Sequence, residues 1–431
     1  MERKILNQKN SLIFAAALAL CLCLCGIAAG RIWRSGDDGA ADETIAETTG
    51  DYIVTTRNTG ADFGVDPQEE ALILDYMAAW FDSLASLEAG DMTQFFLMAD
   101  GQGAVRAQID QTALDFLTEI RGLQENDLSL RNYLCGVTYQ GREVLENGDV
   151  RIALAEDHQL NFSFIPEVNS YSSGIAHVFV LRGDENGNFR FISHEKEEDG
   201  YLLVQDNYEA DLAAGGTDTS GMLNQIKAAL LSEAKENIAA LNDGKDIRID
   251  YEASAAHGYN RDSAVAYAMA WVDETEVIRN GDWDSYDVYG GNCNNFISQC
   301  LYAGGIPMDY TGDAQWKWYD DEIDFWEEPY GRSTSWTGVE EFFTYAQENT
   351  GYGLAADTTL PGYAGEAGDV IQYGEDGQWH HSVIVTEVIK DENGRVQDYL
   401  INSNTTDRIN YPASAYAYSN FRLIHVLGWN E

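Results

Sequence analysis

The sequence predicts an α+β protein with two folded units, each with helices first and antiparallel strands after them. Apolar residues recur at helical spacing in residues 69–87 and again in residues 260–276. In both units, later segments alternate apolar and polar residues and are separated by turn signals, such as Asn147-Gly148 and residues 391–394. Helical periodicity followed by strand alternation favours helices packed on one face of a sheet.

The chain begins with a basic and then strongly apolar segment. Arg3, Lys4 and Lys9 precede eighteen consecutive apolar residues, 12–29. Such a segment is typical of a signal peptide or of a single membrane anchor, and either one leaves the rest of the chain outside the cytoplasm. We therefore expect residues 1–34 to be a signal peptide or an anchoring transmembrane helix, and the protein to be secreted or membrane-anchored.

The remaining segments are assigned from their composition and periodicity. Residues 35–67 are rich in Gly, Asp, Thr, Ala and Glu, which predicts a flexible acidic linker. Residues 68–215 are expected to form an α+β accessory domain of cystatin-like or nuclear-transport-factor-like shape, which serves as a spacer, a dimerisation unit or a binding module. Residues 216–245 are predicted to be a connecting helix, and residues 246–431 the second folded unit.

Three histidines lie in the strand-like part of the first unit: His158, His177 and His194. We interpret them as core or surface histidines rather than metal ligands, because no cluster of Cys, Asp or Glu accompanies them at ligand spacing.

Charge and cysteine content exclude several functional classes. The chain has 72 acidic and 26 basic residues, a formal net charge of −46, so its surface repels nucleic acid and anionic membrane surfaces. Three of the six cysteines lie in the N-terminal apolar run, which leaves Cys135, Cys293 and Cys300 for the folded part. These three form neither a disulfide framework nor a zinc motif, and we expect no metal and no cofactor.

The second unit contains a cysteine at a predicted helix start. Asn292 is a favourable N-cap, Cys293 follows it, and the pair Gly304-Gly305 is a favourable helix stop. Backbone N–H groups and the helix dipole in a first turn favour a thiolate, so Cys293 is a candidate nucleophile. Cys300 lies further along the same apolar helix face and is interpreted as a buried hydrophobic residue.

A predicted strand and its hairpin partner supply the other polar candidates. His381 and His380 are adjacent in one strand and point to opposite faces, so they cannot clamp one metal ion. Asn402 and Asn404 share a face of the next strand, where an amide can lie beside a histidine. A face covered by the cysteine helix would unite thiol, imidazole and amide, which is a Cys–His–Asn arrangement for nucleophilic catalysis.

Several separated motifs occur in this region in a fixed order. They are YNRDSAVAY (259–267), NCNNFISQCL (292–301), AGGIPM (303–308), SWT (335–337), GDVIQY (368–373) and HSVIVT (381–386). Over residues 250–428 these motifs make the chain closely resemble the putative amidase domain family. These bacterial domains are similar to cell-wall cysteine peptidases and to cysteine, histidine-dependent amidohydrolases, which have a papain-like core.

The resemblance implies that Cys293 is the nucleophile and His381 the base. It implies Asn404 as the third residue, at a position where the family often has histidine, with Asn402 as the alternative. The chain departs from the family pattern at Asn292 and Asn294, since members often have Asp before the cysteine and Thr or Ser after it.

We therefore expect an extracytoplasmic cysteine amidase or peptidase that cleaves an amide bond in cell-wall peptide. The alternative is an inactive, membrane-tethered binding or assembly protein whose papain-like domain recognises wall peptide or a protein partner.

Overall fold

The computed structural model describes residues 52–246, 254–289, 291–311, 314–318, 332–375 and 377–431. Residues 1–34, predicted to be a signal peptide or membrane anchor, lie outside the described residues, as does most of the predicted linker. Within the described part, none of the helices combines the length and the apolar character needed to cross a bilayer.

The predicted α+β class is confirmed, with a large sheet and eight α-helices in the described residues. The helices are α1 (Pro67–Ser86), α2 (Gly101–Gly122), α3 (Asp199–Ala213), α4 (Thr219–Gly244), α5 (Arg261–Ala270), α6 (Cys293–Ala303), α7 (Thr334–Thr337) and α8 (Val339–Glu348). The strands are β1 (Tyr52–Thr56), β2 (Leu130–Val144), β3 (Val150–Phe162), β4 (Ser170–Gly183), β5 (Phe189–Lys196), β6 (Gly353–Asp357), β7 (Val370–Glu375), β8 (Gln378–Lys390), β9 (Val396–Ser403), β10 (Asp407–Pro412) and β11 (Asn420–Asn430).

One eleven-stranded sheet runs through both predicted units. Its order is β1-β2-β3-β4-β10-β9-β8-β7-β11-β6, with β5 paired to β4. The link between the units is the antiparallel pairing of β10 with β4, in which Asp407 faces Ser173 and Ile409 faces Tyr171. This pairing gives each of these two strands a partner from the other unit, so neither presents an open edge there.

The expected segment boundaries change at one point. Residues 52–56 fall within the predicted flexible linker, yet they form β1 and pair in parallel with residues 133–137 of β2. Composition indicated a linker there because a five-residue strand is too short to show clear alternation. Helix α4, Thr219–Gly244, lies where the connecting helix was predicted.

Two apolar clusters lie on opposite faces of the C-terminal half of the sheet. In β8, Val383 and Val385 belong to the larger cluster, which also fills the first unit. Ile384 belongs to the smaller cluster, together with Phe296 and Ile297 of α6. Successive strand residues point to opposite faces, so α6 covers the face of β8 to which Ile384 points.

Candidate active site

The candidate nucleophile is the first residue of α6. Asn292 occupies the N-cap position, and the helix ends at Gly304, as predicted. The Asn292 side chain, however, makes no capping hydrogen bond to the helix. Cys293 is 7% exposed, so its thiol lies inside the protein rather than in an open groove.

Two asparagines beside Cys293 fix the start of α6. The Asn292 amide is buried: Oδ1 accepts hydrogen bonds from the backbone N–H of Tyr286 at 3.0 Å and from Nδ2 of Asn295 at 2.8 Å. Asn294 ties the helix to the sheet, because its Oδ1 accepts a hydrogen bond of 3.0 Å from Ser382 Oγ in β8. The helix start is therefore held by hydrogen bonds on both sides of the cysteine.

The surroundings of the thiol act on its pKa in opposite directions. Burial raises the pKa of the Cys293 thiol, which favours the neutral form. Backbone N–H groups of Ser382, of Asn294 and of Cys293 itself oppose that rise, because they stabilise a thiolate. The sulfur thus lies beside the N–H of Ser382, the residue that follows His381.

His381 lies on the other face of the sheet from α6. It pairs with Tyr373 across β7 and shares the side of β8 on which Val383 joins the larger cluster. Its Nε2 is 3.4 Å from the hydroxyl of Tyr416, and the two ring centroids are 5.8 Å apart. Burial, together with the nearby positive charge of Arg408, lowers the pKa of His381 to about 3.

Arg408 and Tyr416 complete the surroundings of the imidazole. The Arg408 guanidinium carbon lies 4.0 Å from the centre of the Tyr416 ring. Arg408 also forms a 3.0 Å ion pair with Asp199 at the start of α3. Sequence reasoning missed both residues, because no spacing pattern links positions on β10 and on the segment after it to a histidine on β8.

The two predicted third residues have other partners. Asn404 accepts a hydrogen bond from Asn292 Nδ2 at 3.0 Å and donates to the carbonyl of Trp271 at 3.4 Å. The amide of Asn402 contacts α5 and accepts a hydrogen bond of 2.9 Å from the backbone N–H of Asn410. Within the residues that the structure describes, His381 has no hydrogen bond to either asparagine amide and none to Cys293.

The expected meeting of thiol, imidazole and amide on one sheet face is therefore corrected. α6 covers the sheet face to which Ser382 and Ile384 point. His381 is two residues before Val383 in the strand, so both side chains point to the opposite face. His380 is exposed, and its ring stacks on Tyr418 at 5.8 Å. No hydrogen bond joins Cys293 to His381 within the described residues, and the sulfur lies beside the backbone N–H of Ser382, the residue after His381.

The three histidines of the first unit form a buried hydrogen-bonded chain with two carboxylates. Glu156 contacts His158 at 2.6 Å and His177 at 3.0 Å, His177 contacts His194 at 3.1 Å, and His194 contacts Asp110 at 2.6 Å. The histidines are core residues, as interpreted, but the neighbouring carboxylates were not predicted, because Asp110 comes from a distant helix. No group of three or more His, Cys, Asp or Glu in the described ranges could hold a metal ion.

Comparison with known proteins identifies the segment that holds the site. Residues 258–427 match the family model described as putative amidase domain. The family predicted from the motifs is confirmed over this segment. The chain is also 31% identical over 222 residues to "Uncharacterized protein YhbB" of Bacillus subtilis (strain 168). That match covers 49% of this chain and 62% of the relative's length. No solved structure matches the chain.

The hydrogen bonds of Asn292, the N-cap residue of α6, are expected to contribute to the stability of the protein. Replacing Asn292 with alanine removes one hydrogen-bond partner from each of three groups: the N–H of Tyr286, the Asn404 carbonyl oxygen, and Nδ2 of Asn295, which keeps its bond to the Asp284 carbonyl. At about 1 kcal/mol or more for each such group, Asn292→Ala is expected to lower the free energy of unfolding by about 3 kcal/mol. Urea unfolding measures this change.

The matched control is Asn207→Ala, which removes an exposed asparagine whose side chain, among the described residues, bonds only to the Leu203 carbonyl within α3. This control is expected to change the free energy of unfolding by less than about 0.5 kcal/mol. Equal effects of the two substitutions would show that the Asn292 network contributes nothing to holding the helix start.

Proposed function

We propose that residues 258–427 form a cysteine-dependent amide hydrolase that acts outside the cytoplasm on cell-wall peptide. The family match supports hydrolysis of an amide bond. The observation that carries the cysteine mechanism is the position of Cys293: a thiol in the first turn of a helix, with the N–H groups of Ser382, Asn294 and Cys293 around the sulfur. A papain-like core and a cystatin-like or nuclear-transport-factor-like first domain are part of the proposal, as is the N-terminal segment as signal peptide or membrane anchor.

The proposed chemistry has two steps. His381 takes the proton of the Cys293 thiol, the sulfur attacks the amide carbonyl carbon, and the C–N bond breaks as the imidazolium gives its proton to the leaving amine. A water molecule then gives a proton to His381 and attacks the thioester carbonyl carbon. The C–S bond breaks, the carboxylic acid is released, and His381 returns the proton to the Cys293 sulfur. Backbone N–H groups at the helix start would stabilise the oxyanion in each step.

The mechanism requires His381 to turn from its resting contact with Tyr416. The sulfur is beside the N–H of Ser382, one residue along the chain from His381. The proposed route to the thiol is rotation of the imidazole about its Cα–Cβ bond. His381 lies in the part of β8 that does not pair with β9, because that pairing begins at Ile384. Asn404 or Asn402 would orient the ring only after a change of partners, so Tyr416 is the residue that holds it at rest.

The direct test is incubation of the purified chain with cell-wall fragments, followed by mass analysis of the products. Hydrolysis is expected to release one fragment with a new amine and one with a new carboxylate, and prior alkylation with iodoacetamide is expected to stop the release. Release that continues unchanged after alkylation would rule out the cysteine mechanism.

Thiol labelling gives a second expected result. Burial raises the pKa of Cys135 and of Cys300 well above the ordinary thiol value, whereas the rise at Cys293 is opposed by three N–H groups. Iodoacetamide should therefore label Cys293 at least about tenfold faster than Cys135 or Cys300 in the folded chain, because only the thiolate reacts. Peptide mass mapping measures the three rates, and equal rates would contradict an activated Cys293.

The second candidate function is a binding or assembly protein with an inactive amidase-like domain. It is favoured by one observation: within the described residues no hydrogen bond joins Cys293 to His381, and burial keeps both groups neutral at rest. An inactive domain would bind wall peptide without releasing fragments, and would do so equally well after alkylation of Cys293.

A further inference from the structure

A cavity lies between the first unit and strand β10, and Cys293 is not among the residues that line it. Its polar lining residues are Arg121, Glu156, His158, Lys196, Glu198 and Arg408. The cavity volume is about 30 Å³, room for about two or three water-sized groups, so any ligand held there is small. Apolar side chains, among them Trp80 and Phe81 of α1, form the rest of the wall. A cavity with this many charged side chains is unusual in a protein interior, where charges are paired.

Most of the charged groups in the wall have partners within the protein. The carboxylate of Glu156 binds His158 and His177, and that of Glu198 accepts backbone N–H groups at the start of α3. Lys196 lies 3.2 Å from the centre of the Trp80 ring and 3.9 Å from Glu198. Neither glutamate of the wall is therefore free to pair with the two arginines.

Arg121 and Arg408 are only partly paired, since Arg408 uses Nη2 alone in its ion pair with Asp199. Each is 5% exposed. Arg121 donates one hydrogen bond, from Nη2 to the hydroxyl of Tyr411 at 3.0 Å, and has no carboxylate partner among the residues that the structure describes. Nε and Nη1 of both guanidinium groups lack a hydrogen-bond partner in that part of the chain. Buried charged donors without acceptors are costly, so these nitrogens require an acceptor from outside the described residues.

We propose that this cavity binds a small monocarboxylate, held by Arg121 and Arg408. A planar carboxylate presents two oxygens to the N–H fork of a guanidinium, which suits two arginines in one cavity. Glu156 and Glu198 in the same wall disfavour an anion with two or more charges, such as phosphate at neutral pH. The apolar wall formed by Trp80 and Phe81 suits the hydrocarbon part of such a ligand.

The position of Arg408 connects this cavity to the candidate active site. Its guanidinium lies over Tyr416, whose hydroxyl contacts His381. A carboxylate on Arg408 would offset the positive charge beside the imidazole. That effect on His381 rests on the proposed function, whereas binding in the cavity does not, so the binding test is independent of amide hydrolysis.

The experiment compares acetate with acetamide, which has the same shape and no charge. Thermal unfolding and titration calorimetry of the full chain are run with each probe at constant ionic strength, and with inorganic phosphate as a third probe. Acetate is expected to bind and to raise the unfolding temperature, while acetamide has no effect. Arg121→Gln and Arg408→Gln are each expected to weaken acetate binding at least about tenfold.

Two further variants serve as controls. Arg151→Gln removes a partly exposed arginine of the same unit, paired with Glu143, and should leave acetate binding unchanged. Arg121→Lys keeps the charge but loses the fork, and it replaces Arg121→Gln if that variant fails to fold. Equal responses to acetate and acetamide, a stronger response to phosphate, or unweakened acetate binding in a folded Arg121 variant would overturn the proposal.

Discussion

Replacement of Cys293 with alanine is expected to lower kcat/KM for amide hydrolysis by at least about a thousandfold, the usual consequence of removing a catalytic nucleophile. The reason is specific to the position: the sulfur lies in the first turn of α6, where the N–H groups of Ser382 and Asn294 favour a thiolate. Alanine keeps the helix and removes only the group that would form the thioester. The measurement is the rate of fragment release from cell-wall material.

Cys300→Ala provides the matched control for this prediction. Cys300 lies in the same helix, is fully buried and packs in the smaller apolar cluster with Phe296 and Leu301. Its loss removes one buried sulfur, at a cost of about 1 kcal/mol in stability, and should leave the rate of a folded enzyme within about twofold of the parent. Full activity in folded Cys293→Ala would end the cysteine mechanism, and equal losses in both variants would indicate damage to α6 rather than to catalysis.

Local signals predicted the elements of the fold, but not how they join. Asn292 and the pair Gly304-Gly305 predicted the start and end of α6, because helix ends depend on a few neighbouring residues. The pairing of β10 with β4 could not be predicted in this way. It depends on residues more than 200 positions apart, such as Asp407 and Ser173, and no turn or spacing connects them.

The sequence predicted which residues the candidate site contains, but the sheet face on which His381 lies differs from the expected one. Alternation correctly indicated that His381 shares a face with Val383, but the sequence did not say which face α6 would cover. The structure places α6 on the face of Ser382, so the imidazole lies with Tyr416 and Arg408 instead. The catalytic roles of Cys293 and His381 stay a prediction.

The stability of the protein relative to a His381→Gln variant is expected to fall as the pH is lowered from 7.5 to 4.5. Burial lowers the pKa of His381 to about 3 in the folded chain, against about 6.5 for an unfolded histidine. Between these values the unfolded chain binds a proton that the folded chain does not, so acid favours unfolding. The glutamine variant has no such proton, and the difference in unfolding free energy should decrease by about 2.5 kcal/mol over this range.

Urea unfolding of both proteins at several pH values measures this difference, and groups common to both proteins cancel. His380→Gln is the control: the side chain is exposed, and burial lowers the pKa of His380 by less, so the pH dependence should be weaker. A pH-independent difference for His381 would mean that the imidazole titrates in the folded chain as it does in water. The opposite sign, a parent that gains relative stability in acid, would mean that the folded chain stabilises the imidazolium. That result is expected only if His381 already faces a Cys293 thiolate at rest. The resting state of the site would then be this ion pair and not the contact of His381 with Tyr416.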